Sequence, residues 1–289
     1  MNTITLTAPA KINLTLDVTG RRADSYHTIS SIMQSVSLSD SVFIEKNESN
    51  KIHLECKGVD LDNYVHNTAY KAAKAFCEHT HINCTGLYIS IDKHIPLQAG
   101  LGGGSADAAA VIVGLNELFD TRLSLEQLCE IGAKVGADVP FCTVGGTKLC
   151  QGIGEIISYI PPLENCFIVI AKGKSGISTK EAYSKIDSLE TQIADISLYN
   201  GSIESVKKIG GNIFEQVSEN EDVPKLKKLM AECGAEYTAM SGSGSAVFGL
   251  FALSRQKSAA GQCARLLKSE GFFAETCIAL SYGAKYINR

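Results

Sequence analysis

The sequence predicts an α+β protein of two domains, and three observations carry the prediction. A strand-like run, a glycine-rich segment and a strongly helical run follow one another between Leu87 and Phe119. Pro161 and Pro162 then interrupt the pattern near mid-chain and divide it into 1–160 and 161–289. The closing part of the chain alternates helix and strand in the manner of an α/β sandwich.

In chain order, strand-like runs lie near Ile4 to Leu6, Ile12 to Val18, Val42 to Glu45 and Ile52 to Glu55. A helix is expected from about Asn67 to Glu78. Leu87, Ile89 and Ile91 alternate with polar residues as in a half-buried strand. After the glycines, Ala108, Val111, Ile112, Leu115, Leu118 and Phe119 recur at helical spacing and bury one face. A third helix starts at Ser124, with Gln127 three positions on as a capping box requires, and ends at Gly136. Its apolar face is Leu125, Leu128, Ile131 and Val135. Asp138 follows two residues before Pro140, which places a carboxylate at a bend. Beyond the prolines come a buried strand, Phe167 to Ala171, and a polar helical region from about Ser178 to Gly210. Then follow a helix (Val223 to Cys233), a strand (Tyr237 to Met240), a glycine turn and a strand (Ala246 to Phe251). A helix (Ser254 to Glu270) and a strand (Phe272 to Cys277) close the series.

The chemistry-bearing segment is Pro96-Leu97-Gln98-Ala99-Gly100-Leu101-Gly102-Gly103-Gly104-Ser105-Ala106. Glycine admits backbone conformations closed to other residues and lets a ligand approach the amides; the helix start behind it offers unpaired N–H groups and a positive dipole end. The segment reads as a cradle for phosphate. It is not a Walker loop, because no lysine follows Gly104, and Gly100, Gly102 and Ser105 fit the dinucleotide fingerprint poorly. The bland alternative is a glycine turn that merely joins strand to helix. A second small-residue turn, Met240-Ser241-Gly242-Ser243-Gly244-Ser245, also turns backbone amides toward a ligand, or serves only as a hairpin turn.

A chain of 289 residues with 45% hydrophobic content fills one large domain or two modest ones. Its net charge of −4, with no long basic run, gives no electrostatic footprint for nucleic acid or an acidic membrane. The N-terminus lacks a basic start followed by an apolar block, and no apolar run approaches the ~18 residues of a membrane span, so a cytoplasmic protein is expected. Ten cysteines without a Cys-x-x-Cys pair read as reduced thiols acting as small hydrophobes. Cys77-Glu-His79-Thr-His81 fits no common metal spacing and reads as a solvated helix end.

Taken together, five segments resemble the GHMP kinase family over nearly the whole chain. They are Ala8-Pro9-Ala10-Lys11-Ile12-Asn13-Leu14, Gly20 to His27, the central glycine loop, Gly136-Ala-Asp138-Val-Pro140-Phe, and the late Ser-Gly-Ser-Gly-Ser turn. The central loop specifies the family. Lys-Ile-Asn, Asp-Ser-Tyr-His and Met33-Gln34 are similar to the members that act on a cytidine-diphosphate-linked methylerythritol. The resemblance implies an N-terminal domain like ribosomal protein S5 domain 2 and a ferredoxin-like C-terminal α/β sandwich. It also implies ATP-dependent phosphorylation of that compound's 2-hydroxyl, in the non-mevalonate route to isoprenoids, with ATP as co-substrate and Mg²⁺. The partner is then a small molecule, with neither nucleic acid nor membrane, and the protein a monomer or weak homodimer.

The resemblance assigns Asp138 as general base with Lys11 beside it, and the loop from Pro96 to Ala106 to the ATP phosphates, Ser105 touching phosphate or Mg²⁺. Asn67 and Lys93 match positions near the adenine end; each has an ordinary alternative, as helix cap and as solvated strand-end lysine. Tyr26 and Tyr183 are assigned to stacking on cytosine, His27 to hydrogen bonding its polar edge, Asn13 to the reacting alcohol, and Gly242 and Ser243 to substrate. Two departures stand out. Ser25 replaces the usual glycine, so a positive φ there is strained. Ala106 replaces one serine of the usual pair and leaves Ser105 as the sole hydroxyl. Alternative functions are a GHMP kinase for another small alcohol, such as mevalonate, a sugar or homoserine, and a catalytically silent nucleotide or metabolite sensor.

Overall fold

The computed structural model describes residues 2–57, 64–83, 85–175, 179–187, Leu189, 193–253 and 257–287. The first half comprises β1 (Thr3–Asn13), β2 (Thr15–Arg21), β3 (His27–Lys46), β4 (Ile52–Lys57), α1 (Thr68–Thr80), β5 (Leu87–Asp92) and α2 (Gly103–Leu118). It continues with α3 (Leu125–Ala133), α4 (Val139–Val144), β6 (Thr147–Gly152) and β7 (Ile156–Tyr159). The second half comprises β8 (Cys166–Lys172), α5 (Thr179–Ile186), α6 (Ile203–Ile209), β9 (Gly211–Asn212) and α7 (Asp222–Glu232). It closes with β10 (Tyr237–Met240), β11 (Ala246–Ala252), α8 (Lys257–Ser269), β12 (Phe273–Ile278) and β13 (Lys285–Tyr286).

The hub of the first sheet is β3, which pairs along its length with β2, β6, β1 and β5. Only its Val42 to Glu45 end was legible as a strand. Elsewhere Ser30, Ser31, Gln34 and Ser35 break the apolar pattern, yet all four are buried. Tertiary partners satisfy them: Gln34 Nε2 donates to Leu280 O (2.8 Å), and Ser35 Oγ donates to Tyr282 O (2.8 Å) while accepting from Gly146 N (2.8 Å). The strand expected from Ile12 to Val18 is broken at Leu14, so that β1 and β2 flank β3 on opposite sides. β6, β7 and α4 were not anticipated; α4 carries Pro140 in its first turn, where the missing N–H costs no hydrogen bond.

α2 lies against β1 and β3 and is buried well beyond the single face its spacing suggested, Ala106 through Ile112 all being buried. Gly114 permits the close approach, because a Cβ there would meet Leu6 Cδ1 at 2.7 Å and Ile44 Cδ1 at 2.8 Å. The alanine-rich sequence thus serves contact on all sides, with α1, α3 and α4 covering the faces the sheet leaves. The second sheet is antiparallel with order β10-β11-β8-β12, and α7 and α8 pack on it as a sandwich. β9 and β13, late in the chain, return to the first sheet by pairing with β2 and β1.

The polar region after the prolines resolves into α5, a 3₁₀ turn and α6; its expected start at Ser178, and that of the later helix at Ser254, lie outside the described residues. One cysteine expectation is corrected. Cys77 stands in a disulfide, while Cys56, Cys129, Cys142, Cys150, Cys166, Cys233, Cys263 and Cys277 are free. Motif spacing missed it because a disulfide requires only that two Cα atoms come within about 4.4–6.8 Å in space. No helix among the described residues is long and apolar enough to cross a membrane.

Candidate active site

The glycine loop leaves β5 and enters α2 through Gly102, which caps the helix in a left-handed conformation with no side-chain hydrogen bond. The first amides of α2 are thereby left for an external acceptor, at the positive end of the helix dipole. Gly102 is required by packing as well, since a Cβ would meet Lys11 Cγ at 2.9 Å. Gly100 abuts the late serine-glycine turn so closely that a Cβ would lie 2.0 Å from Ser241 O. Hydrogen bonds fix the junction: Lys11 N donates to Leu101 O (3.0 Å), Ala246 N to Ala99 O (3.0 Å) and Ser241 Oγ to Gly100 O (2.9 Å). On the opposite side Thr68 Oγ donates to Gly104 O (2.7 Å) and ties the loop to α1.

Beside this cradle stands the pair anticipated from sequence. Lys11 Nζ lies 3.5 Å from Asp138 Oδ2, the lysine side chain 5% exposed and the aspartate 29%. Asp138 occupies the N-cap position of α4 but makes no capping bond, so its carboxylate stays available to the cleft. Asn13 holds the ammonium in place: its Oδ1 accepts from Lys11 Nζ (2.6 Å) and Gly242 N (2.9 Å), and its Nδ2 donates to Ser31 Oγ (2.8 Å). Asn212 in turn donates from Nδ2 to Met240 O (2.7 Å) and Gly242 O (2.8 Å), bracing the turn from behind.

The cleft has a volume of about 930 Å³ and runs from the glycine loop to an aromatic end. There the His27 ring stacks on Tyr183 with centroids 4.9 Å apart, and Tyr183 meets Phe214 edge-on at 4.8 Å. Burial pushes the Tyr183 phenol up to about 12, with the Asp138 charge adding to the shift. Tyr26, at the tip of the β2–β3 hairpin, is 62% exposed. That hairpin carries Ser25 at φ 71°, a left-handed conformation that favours glycine.

Lys93 is not solvated. It is 9% exposed and lies beneath the start of α2, bonded to Asp40 and, at 2.7 Å, to Asp107. Burial alone would lower its pKa; the charges of Asp107 and Asp40 more than offset this and hold it above the ordinary lysine value. Asp40 also accepts from the amides of His94 (2.5 Å) and Ile95 (2.8 Å), so the cluster ties the approach to the loop onto α2. Asp107 is the strained member: burial raises its carboxyl to about 7, and its Oδ1 has no partner among the described residues.

Of the residues singled out from sequence, the fold brings Lys11, Asn13, Tyr26, His27, Gly100, Gly102, Ser105, Asp138, Tyr183, Gly242 and Ser243 to the wall of one cleft. Ala99, Leu101 and Ala106 are buried, which leaves only their backbone for contact with a ligand. Asn67 lies outside this wall and caps α1, accepting from Ala69 N at 2.8 Å. Lys93 supports the loop from below. Sequence reasoning missed Phe214, Ser184 and Asp187, which reach the cleft from the second half of the chain and belong to no motif.

Comparison with known proteins agrees with this geometry. The family model described as GHMP kinases N terminal domain matches residues 67–146, and GHMP kinases C terminal matches 197–271. A relative from Macrococcus caseolyticus, a 4-diphosphocytidyl-2-C-methyl-D-erythritol kinase, is 40% identical over 257 residues, covering 86% of this chain and 90% of the relative. A solved 4-(cytidine 5'-diphospho)-2C-methyl-D-erythritol kinase superposes with a TM-score of 0.80 at 27% identity, over 96% of this chain and 99% of that one. A homoserine kinase from Cytophaga hutchinsonii, at 19% identity and a TM-score of 0.76 over 99% of this chain and 98% of its own, shares the fold. With both family domains matched in order and their loops meeting at one cleft, the chain belongs to the GHMP kinase family of ATP-dependent small-molecule kinases.

Proposed function

We propose that the chain transfers the γ-phosphoryl group of ATP to the 2-hydroxyl of 4-diphosphocytidyl-2-C-methyl-D-erythritol, giving the 2-phosphate and ADP in the non-mevalonate route to isoprenoid precursors. The observation that carries this reading is the layout of the cleft. A Lys11–Asp138 pair sits beside an amide-lined cradle at one end, and a cluster of flat rings, Tyr26, His27, Tyr183 and Phe214, at the other. A small alcohol alone has no use for the second end; a nucleoside diphosphate conjugate has.

Phosphoryl transfer is chiefly a matter of positioning and charge neutralisation. The amides at Gly102 to Ser105 and the α2 dipole receive the phosphates. Asp138 accepts the proton of the attacking hydroxyl, while the Lys11 ammonium, fixed by Asn13 and 3.5 Å from that carboxylate, faces the charge that builds up on the transferring group. Ser105 and Asp138 line the same cleft, and their oxygens together with those of ATP would hold Mg²⁺, a hard cation that would supply further charge neutralisation. With Ala106 in place of a second serine, the phosphates and water would provide most of the coordination. Asn67 sits one residue from the Thr68 contact with Gly104, on the flank of the cradle, a position that supports its assignment to the adenine end of ATP.

The test is ADP release by the purified protein with Mg·ATP, offering the diphosphocytidyl compound beside mevalonate, galactose and homoserine at equal concentration. Selective turnover of the cytidine compound is expected. Preference for another alcohol would overturn the reading of the aromatic end, and ATP binding without turnover of any would favour the silent sensor.

A further inference from the structure

We infer that Asp187 is a positioning residue that sets nucleobase specificity, by fixing His27 in the tautomer whose free ring nitrogen accepts a hydrogen bond and so selects an amino-bearing pyrimidine over a carbonyl-bearing one. The inference rests on the proposed cytidine substrate and names the group that distinguishes it from its uridine counterpart.

Asp187 follows α5 and reaches across the mouth of the cleft to the β2–β3 hairpin. Its Oδ2 accepts from Arg21 Nη1 at 3.0 Å and its Oδ1 from His27 Nε2 at 2.7 Å, so both oxygens are committed. The bond from His27, with the Arg21 charge, holds the Asp187 carboxyl below its usual range. An ionised carboxylate only accepts, hence Nε2 must carry the proton. In the neutral ring the lone pair then resides on Nδ1, which makes no hydrogen bond among the described residues. Stacking on Tyr183 fixes the ring plane, and the ring lines the cleft. Orientation and polarity of the nitrogen are thus both set before any ligand arrives.

Cytosine and uracil have nearly the same shape and differ at C4, an amino donor in one and a carbonyl acceptor in the other, and at N3, an acceptor in one and a donor in the other; His27 discriminates where its nitrogen faces C4. A fixed acceptor pairs with the first and opposes the second. Sites built on such a hydrogen bond discriminate far more sharply than sites built on shape. An asparagine at 187 accepts through its oxygen or donates through its nitrogen, which lets His27 adopt either tautomer and relaxes the selection.

The experiment compares kcat/KM for the cytidine-diphosphate-linked substrate and its uridine counterpart at pH 8.5 in wild type, Asp187→Asn and Asp187→Glu. The expected result is a cytidine-to-uridine ratio lowered at least about tenfold by Asp187→Asn and retained by Asp187→Glu, which restores the carboxylate. A ratio unchanged in Asp187→Asn, even with both KM values raised, reduces Asp187 to a strap across the cleft and overturns the inference. A substrate-free readout separates this from failure of the proposed function. ¹⁵N spectra of histidine-labelled protein, assigned with His27→Gln, should show Nε2 alone protonated in wild type and a tautomer mixture in Asp187→Asn. An Nδ1-protonated His27 in wild type overturns the inference whatever the substrate proves to be. Wild type that shows the expected tautomer but leaves the cytidine compound unphosphorylated overturns the functional reading instead.

Discussion

Replacing Gly100 by alanine tests whether contact between the two glycine turns sets the geometry of the site. Gly100 has φ +74°, and a Cβ there would stand 2.0 Å from Ser241 O, 2.9 Å from Ser241 C and 3.1 Å from Gly244 N, all backbone atoms. Ordinary contact begins at 3.4 Å, so one turn must retreat from the other by more than 1 Å. Gly234 supplies the control: it has φ +96° and nothing within 4 Å of its Cβ position. Both alanine variants carry the left-handed strain, about 1–2 kcal/mol, but only Gly100→Ala adds the clash. Because a misplacement of about 1 Å costs on the order of 10²-fold in rate, kcat/KM should fall about 100-fold in Gly100→Ala and stay near wild type in Gly234→Ala. Urea unfolding at 25 °C should show both variants destabilised, the first more. The assay is coupled ADP release under Mg·ATP saturation. Activity of Gly100→Ala within about threefold of Gly234→Ala would refute the reasoning, because the turns would then yield without disturbing the reacting groups.

Three further outcomes follow from the site. Asp138→Asn should preserve ATP affinity, read by calorimetry, while turnover drops by about 10²–10⁴-fold, the usual contribution of a general base; wild-type turnover would remove Asp138 from that role. Ser25→Gly should relieve the left-handed strain at φ 71° and, after the added freedom of the unfolded chain, raise stability in urea by up to about 1 kcal/mol. Asp107→Asn should flatten the pH dependence of stability. The native carboxyl, raised from 3.8 to about 7, keeps a proton that the unfolded chain releases in that window, so its contribution is full below 3.8 and is lost as pH rises toward 7. The variant should lack that decline, at most about 1.4 kcal/mol per pH unit, in unfolding measured from pH 4 to 7.5.

The sequence was most legible where local chemistry is self-sufficient. Ser124 and Gln127 form the capping box that their spacing announces, and Asn67 caps α1. The glycine loop could be read as an anion cradle because the need for special backbone conformations is written in the residue types. It was least legible where polar residues are satisfied at a distance. Gln34 and Ser35 look like loop residues until Gly146, Leu280 and Tyr282 arrive to bond them within β3. Lys93 looks like a solvated lysine until Asp40, 53 residues earlier, and Asp107 surround it. Asp187 and Phe214 carry no motif, since their relevance arises only when the second half of the chain closes one side of the cleft.

By itself, then, the sequence determined the class of fold and singled out the central glycine loop as a candidate anion cradle and Lys11 and Asp138 as candidate site residues, because each depends on residue type and short-range spacing. Only the tertiary structure decided that Lys11 lies 3.5 Å from Asp138 with Asn13 as its brace, that Gly100 meets Ser241, and that Asp187 commits one nitrogen of His27. Apart from the Lys11–Asn13 bond, which spans two positions, these relations join residues more than a hundred positions apart, and no local pattern encodes a distance that is set by how two sheets and their covering helices pack.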